Sequence, residues 1–394
     1  MISPARIELS ESALRHNIFF VKSQMASDVQ LSAVVKGNAY GHGIEQFVPM
    51  AYRAGIRHFS VFSAYEANRV YQTLSLEPSC APEPDSACEV MIMGQVADED
   101  LPEVINKDIQ FYIFDLERLA AALAAASQVN KPARIHIEME TGMNRTGLEE
   151  NEVQEVIRLL KDNPDQFILE GFCTHLAGSE SISNHMRIAN QSDRFRQLQD
   201  LFRTEGLQAK RVHVGCSATL ISYPDFQFDM VRVGILLYGF WPSRETMIRS
   251  MVQGKIGQED PLRRVISWKT YIMSLKSVKL GDFIGYGMAF QAQKDMLVAA
   301  IPAGYAYGYS RNFSNLGQAL IKGKIVQVVG IVNMNVVMLD VSDLEEVSRG
   351  DEVVLIGHQG ENHISVASFE QMSNQLNYEV LTRLPQDLPR VVVE

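Results

Sequence analysis

Residues Ser32–Gly43 read SAVVKGNAYGHG. Ser32 to Val35 continue an apolar run of the kind that forms a buried parallel strand, and Lys36 ends it. Gly37, Asn38, Gly41 and Gly43 then break regular structure, and a helical pattern resumes at Ile44. Strand, lysine, glycine-rich turn and helix make a βα unit, and α/β folds place their chemistry at the carboxyl ends of parallel strands. An ammonium held there is costly to desolvate, so its pKa falls and the free amine becomes a nucleophile. That is the property needed to form a Schiff base with a carbonyl compound. A lone lysine at such a position is more often a surface residue capping a strand, so the rest of the chain has to supply the context.

The βα pattern recurs along the chain. Strand-like runs lie at 31–36, 58–63, 89–93, 109–114, 133–139, 166–172 and 211–216, with helical patterns at 64–73, 115–128, 149–161 and 183–204. VRVGILLYG at 231–239 has the composition of a closing strand. Residues 4–9 alternate as a short strand, and Ser10 or Ser12 caps a helix running to about Met25. About eight strands alternating with helices predict a (β/α)8 barrel of the TIM type rather than an open doubly wound sheet. No GxGxxG follows a strand, as a dinucleotide fold would require. Beyond about residue 245 the segments become short and β-branched, at 266–275, 297–301, 319–329, 336–340 and 352–356, with Gly and Asp turns between them. They predict a mostly β C-terminal domain. The expected division is a barrel over 12–245 and a β domain over 246–394, with a polar, turn-rich linker at 241–261 and a surface insertion at 76–87.

The bulk properties narrow the function. The 394 residues exceed one ordinary core. A hydrophobic content of 46% and a mean hydropathy of −0.06 fit a globular enzyme. The net charge of −11 argues against nucleic acid or an anionic membrane as partner. An anionic ligand must then be held by local donors, such as backbone N–H groups at helix starts. Cys80, Cys88, Cys173 and Cys216 show no zinc spacing, and no metal site is expected. Cys80 and Cys88 share a Pro-rich loop and are close enough in sequence to pair, but a cytosolic chain favours the reduced pair. The N-terminus, MISPARIELSES, lacks the apolar segment of a secretion signal, and no run has the length of a membrane span. A cytoplasmic location is expected.

The stretch around Lys36 closely resembles the pyridoxal-phosphate (PLP) lysine motif of the alanine racemases, AVVKANAYGHG, with Gly37 in place of alanine. The resemblance implies that Lys36 carries PLP as a Schiff base and that Tyr40 touches its phosphate. Further segments extend it over nearly the whole chain. In FDMVRVGILLYG, Arg232 matches the residue that faces the pyridine nitrogen. An arginine keeps its proton, so it donates a hydrogen bond to the ring without protonating it. The backbone of Gly234 and Ile235 and the hydroxyl of Ser217 in HVGCSAT match the phosphate site; Ser217 also suits a helix N-cap. His175 in EGFCTHLAG matches a histidine beside the cofactor ring, and Arg145 in HIEMETGMNRTG one that recruits the substrate carboxylate.

A racemase must remove the Cα proton on one face and return one on the other, which calls for two groups on opposite sides. Lys36 is one. Tyr286, between two glycines in GDFIGYGMAFQA, matches the other. A phenol normally titrates near 10 and serves as a base only where positive charge lowers that value. Tyr305 in IPAGYAYGYSRN matches a tyrosine at the substrate entrance, and Met334 in VVGIVNMNVV a residue whose backbone N–H meets the substrate carboxylate. The resemblance also implies that residues 1–11 join the β domain, that the protein is a homodimer, and that Tyr286 and Met334 reach the partner's site. The substrate implied is a small amino acid, alanine first.

Several positions depart from the family pattern. Glu138 stands where many members carry a carbamate-bearing lysine, and a glutamate supplies the same negative charge to orient Arg145. An ordinary strand glutamate is the competing reading. Cys216 replaces an asparagine, Tyr307 an aspartate, Ile331 an arginine, Asn335 an aspartate and Gln386 a phosphate-binding tyrosine, while Arg311 matches an entrance arginine weakly. Most of these lie on the substrate side. They fit either a racemase of serine or a broader set of amino acids, or neutral variation in an alanine racemase. A PLP-dependent decarboxylase of the same architecture would need a cysteine in its second domain, and none follows Cys216. A non-catalytic PLP-binding regulatory protein would resemble the barrel alone.

Overall fold

The computed structural model describes residues 3–77, 88–368 and 377–394, so most of the expected insertion at 76–87, with Cys80, lies outside the described residues. Two compact units emerge, one of residues 13–37 and 48–263, the other of residues 1–12, 38–47 and 264–394.

In the first unit, Gln30–Val34, His58–Val61, Glu89–Ile92, Gln110–Ile113, Ala133–Glu138 and Phe167–Cys173 pair in parallel in chain order. The next strand is bent at Val214: Arg211–His213 pairs with Phe167–Cys173, and Gly215–Cys216 with Met230–Val233. Met230–Val233 returns to Gln30–Val34, with Val231 opposite Leu31, so the ring closes through the bend. With the bent strand taken as one, this is the (β/α)8 barrel. The outer helices start and stop where their chemistry requires. Asp115 caps Leu116–Val129 by accepting from Arg118 N at 2.7 Å, and Asn130 ends it in the left-handed region. Val153–Asp162 buries Val153, Val156, Ile157 and Leu160, the i, i+3, i+4, i+7 stripe of an amphipathic helix.

The expected strand at 231–239 is shorter in the structure. It stops at Val233; Leu237 N then turns back to Gly234 O at 2.8 Å. Ile235, Leu236, Leu237 and Tyr238 are apolar because they are buried in this turn, not because the strand continues. Similarly, Glu11–Ser23 starts directly after Ser10, which leaves Ser12 inside the helix.

The stretch after Lys36 holds a turn that its composition conceals. Gly37, Asn38, Ala39 and Tyr40 have φ of 63°, 54°, 54° and 52°, a helical turn of left hand. Each non-glycine residue there costs about 1–2 kcal/mol. The turn persists because Gly43 N donates to Asn38 O at 2.9 Å, Ile44 N to Asn38 Oδ1 at 3.1 Å, and Arg390 to Gly41 O at 2.9 Å. Gly37 relieves one residue of that strain. Gly37→Ala is therefore expected to lower stability by about 1–2 kcal/mol, read as a lower urea midpoint; an unchanged midpoint would contradict the strain.

In the second unit, Arg6–Ser10 lies between Ile266–Tyr271, antiparallel, and Arg390–Val393, parallel. The sheet continues through Glu352–Gln359 to Gln318–Ile321 and Lys324–Gln327. Ser274–Val278, Met296–Ile301 and Val337–Asp340 form a separate antiparallel sheet, packed on Ile284, Ala292 and Val329. The run at 319–329 is split by a tight turn at Lys322 and Gly323, both at positive φ.

Candidate functional site

The carboxyl ends of the barrel strands gather four of the expected residues. Lys36 lies just beyond Gln30–Val34, at a surface open enough for its amine to reach a ligand. Protein packed around the ammonium lowers its pKa; Arg145 and Arg232 lower it further, against Glu66 and Cys216. His175, after Phe167–Cys173, is pushed down to about 3 by burial and by the charges of Arg232, Arg145 and Lys36. Three cations thus converge on a neutral imidazole. Arg145 sits on a loop pinned by Glu140, whose carboxylate accepts from Gly142 N and, at 2.8 Å, from Asn144 N. Glu138, 4% exposed, faces this group; burial raises its pKa against Thr146, Arg145 and Arg232, and its Oε2 has no hydrogen-bond partner.

Arg232, 5% exposed, is held by four contacts. Nη1 donates to His213 Nδ1 at 2.5 Å and His213 O at 3.0 Å; Nη2 donates to Thr174 O at 3.1 Å and Val214 O at 3.4 Å. That accounts for four of the five guanidinium protons and leaves Nε–H as the spare donor. Ser217 opens the helix Ser217–Ser222, and Cys216 holds the cap position, which corrects the N-cap reading of Ser217. The Ser217 hydroxyl instead accepts from Gly234 N at 3.0 Å, so its own proton is directed elsewhere. Ile235 is buried beside it in the chain.

The second unit carries the other expected residues. Tyr40 is buried with its ring 5.9 Å from that of Tyr378. Tyr305 N donates to Asn333 O at 3.1 Å and Ala306 N to Met334 O at 2.9 Å, which joins the Tyr305 and Met334 loops. Tyr286, Tyr305 and Met334 all expose large parts of their side chains. Gln386 is exposed, and its carbonyl accepts from Arg390 at 3.0 Å.

Sequence reasoning missed the interior of the barrel. His213 Nε2 lies 2.9 Å from His136 Nδ1, His136 Nε2 lies 2.8 Å from Gln110 Oε1, and Gln110 Nε2 donates to Glu89 Oε1 at 2.8 Å. Glu89 also accepts from Arg134 at 2.9 Å and Arg211 at 2.7 Å. Gly171 makes room for the pair, since any side chain there would collide with His136.

Two other buried histidines set a pH dependence. Burial lowers His42 and His58 to about 4, against 6.5 for a free imidazole. The unfolded chain therefore binds more protons between those values. Stability is full above pH 6.5 and falls toward pH 4, by up to about 3 kcal/mol for each residue. Urea midpoints should decrease from pH 7.5 through 5.5 to 4.5; a rise on acidification would contradict this.

The donor set fits an anionic, ring-bearing carbonyl compound. It offers a partly desolvated amine, a spare Nε–H deep in the barrel, the Ser217 hydroxyl and a surplus of positive charge. Comparison with known proteins agrees. Residues 9–242 match the alanine racemase N-terminal domain and residues 265–392 the alanine racemase C-terminal domain. An alanine racemase of Leptospira interrogans is 31% identical over 98% of this chain and 95% of its own. The solved alanine racemase of Clostridium difficile 630 superposes with a TM-score of 0.87 at 27% identity, covering 100% of this chain and 96% of its own. The alanine racemase of Bartonella henselae, solved with covalently bound pyridoxal phosphate, has a TM-score of 0.81 at 25% identity, with both chains covered in full.

Proposed function

The chain belongs to the alanine racemase family, and on that premise we propose how its own residues interconvert L- and D-alanine. It is an isomerase whose cofactor is pyridoxal phosphate. Bound through a Schiff base, that cofactor supplies an electron sink that acidifies the hydrogen on the substrate's Cα.

Lys36 holds the cofactor and, once its amine is freed by substrate, takes or returns a proton on one face of Cα. Its lowered pKa supports this, because burial and the neighbouring arginines favour the free amine over the ammonium. Arg232 would direct its spare Nε–H at the ring nitrogen. Ser217 and the backbone at Gly234 and Ile235 would hold the phosphate. His175 would flank the ring, and Arg145 would draw in the substrate carboxylate, with Glu138 as the anion that steadies it. Tyr286 handles the proton on the opposite face. We assign Tyr286, Met334 and Tyr305 to a subunit interface, where Tyr286 and Met334 complete the active site of the second copy in a homodimer. Their exposure supports that role, since large side chains left in water in number commonly mark a contact surface. A cytoplasmic location accords with the family.

The observation that carries this reading is the convergence of Lys36, Arg145, Arg232 and His175 at one end of the barrel. It is tested by incubating the PLP-loaded protein with L-alanine, L-serine and L-lysine in parallel and following each by chiral chromatography. Fast turnover of alanine supports it. Weak alanine turnover beside a better second substrate would mean that Glu138, Ile331, Asn335 and Gln386 define another specificity.

A further inference from the structure

The contacts beneath Arg232 run in one direction. An arginine donates and never accepts. His213 Nδ1, which meets Arg232 Nη1, must therefore be the bare nitrogen, and the His213 proton must sit on Nε2. That proton points at His136 Nδ1, 2.9 Å away, which makes His136 Nδ1 bare in turn and places its proton on Nε2, facing Gln110 Oε1. The Gln110 amide then donates to Glu89, and the chain ends on a carboxylate that two arginines also hold. Each ring nitrogen of the two imidazoles has its partner along this chain, so neither imidazole can take the other tautomer without setting two donors or two acceptors face to face. Burial and the surrounding positive charge keep both imidazoles neutral. Room for the pair is made by Gly171, where a methyl group would overlap His136 Nδ1 and lie 2.9 Å from His213 Nε2. Among the described residues Arg232 has no carboxylate at ion-pair distance, so this chain is its link to a negative charge.

We propose that His213 and His136 are positioning residues which, with Gln110 and Glu89, lock the Arg232 guanidinium in the orientation that presents its Nε–H to the cofactor ring nitrogen. This rests on the reading of Arg232 given above. The chain acts through Arg232 and touches neither substrate nor cofactor. It turns a long, mobile side chain into a donor with one allowed direction.

The test uses the holoenzyme labelled with 15N-histidine, whose spectrum distinguishes bare from protonated ring nitrogens. In the wild type both histidines should show a bare Nδ1 and a protonated Nε2 at neutral pH. A proton on His213 Nδ1 overturns the proposal without any variant. Gly171→Ala, which pushes the imidazoles apart without removing a polar group, and His136→Asn are then compared with Arg232→Lys. Both should shift the bound cofactor's absorption band in the same sense as Arg232→Lys. Both should also lower kcat about tenfold, the worth of one charged hydrogen bond, with KM for alanine within about twofold. If the folded variants leave band and kcat unchanged while Arg232→Lys moves them, the chain has no positioning role. If Arg232→Lys itself leaves the band unmoved, the reading of Arg232 fails and the proposal falls with it.

Discussion

Lys36→Ala is expected to lose covalent cofactor and at least about a thousandfold in racemisation rate, since on the proposed mechanism one residue supplies both the anchor and a proton-transfer group. The fold should persist. Lys36 opens the left-handed turn but, with an open surface, fills no core position, and its ammonium is repelled by Arg145 and Arg232 in the native state. The variant should therefore be at least as stable as the wild type toward urea while binding PLP only reversibly. Borohydride reduction followed by mass spectrometry reads the covalent bond, and chiral chromatography reads the rate. A reduced, PLP-labelled variant racemising at the wild-type rate would end the assignment of Lys36.

Tyr286→Phe is the second large effect, and its signature is asymmetric. The side chain is 72% exposed in the single chain, so losing its hydroxyl should change stability by less than about 0.5 kcal/mol. Loss of a positioned acid–base group costs about 10²–10⁴-fold in rate. Racemisation must fall equally from either side, because the two enantiomers have the same free energy and the ratio of forward to reverse kcat/KM is fixed at unity. Hydrogen exchange obeys no such constraint. With Lys36 intact, the enantiomer that presents its Cα hydrogen to the lysine face should still exchange with deuterated solvent, and its mirror image should not. Mass spectrometry of recovered L- and D-alanine checks this. Equal exchange of both enantiomers would mean that Tyr286 is not the second group.

Much of this was legible because the barrel writes a period into the chain. Short apolar runs at 58–63, 89–93 and 109–114 match strands at His58–Val61, Glu89–Ile92 and Gln110–Ile113, since a strand buried on both faces is apolar at every position. The same rule overreached at 231–239, where burial continues past Val233 but the strand does not. The left-handed turn was hidden for a different reason. Asn38, Ala39 and Tyr40 are ordinary residues, and their positive φ is imposed by contacts from distant segments such as Arg390. In the site, residues carried by local motifs could be named in advance. His136 and His213 could not, because a lone histidine on a strand reads as core until its partner across the barrel is known. The bond from Gly234 N to the Ser217 hydroxyl was not legible either, because it joins segments 17 residues apart.

The central claim is that two groups on opposite faces of Cα exchange its hydrogen. The most direct measurement is to run the PLP-loaded wild type on L-alanine in deuterated water, stop at low conversion, and separate the enantiomers. The account predicts D-alanine carrying deuterium at Cα, delivered by a group that never held the substrate's own hydrogen. D-Alanine that retains the original hydrogen would show a single group serving both faces and would contradict the account.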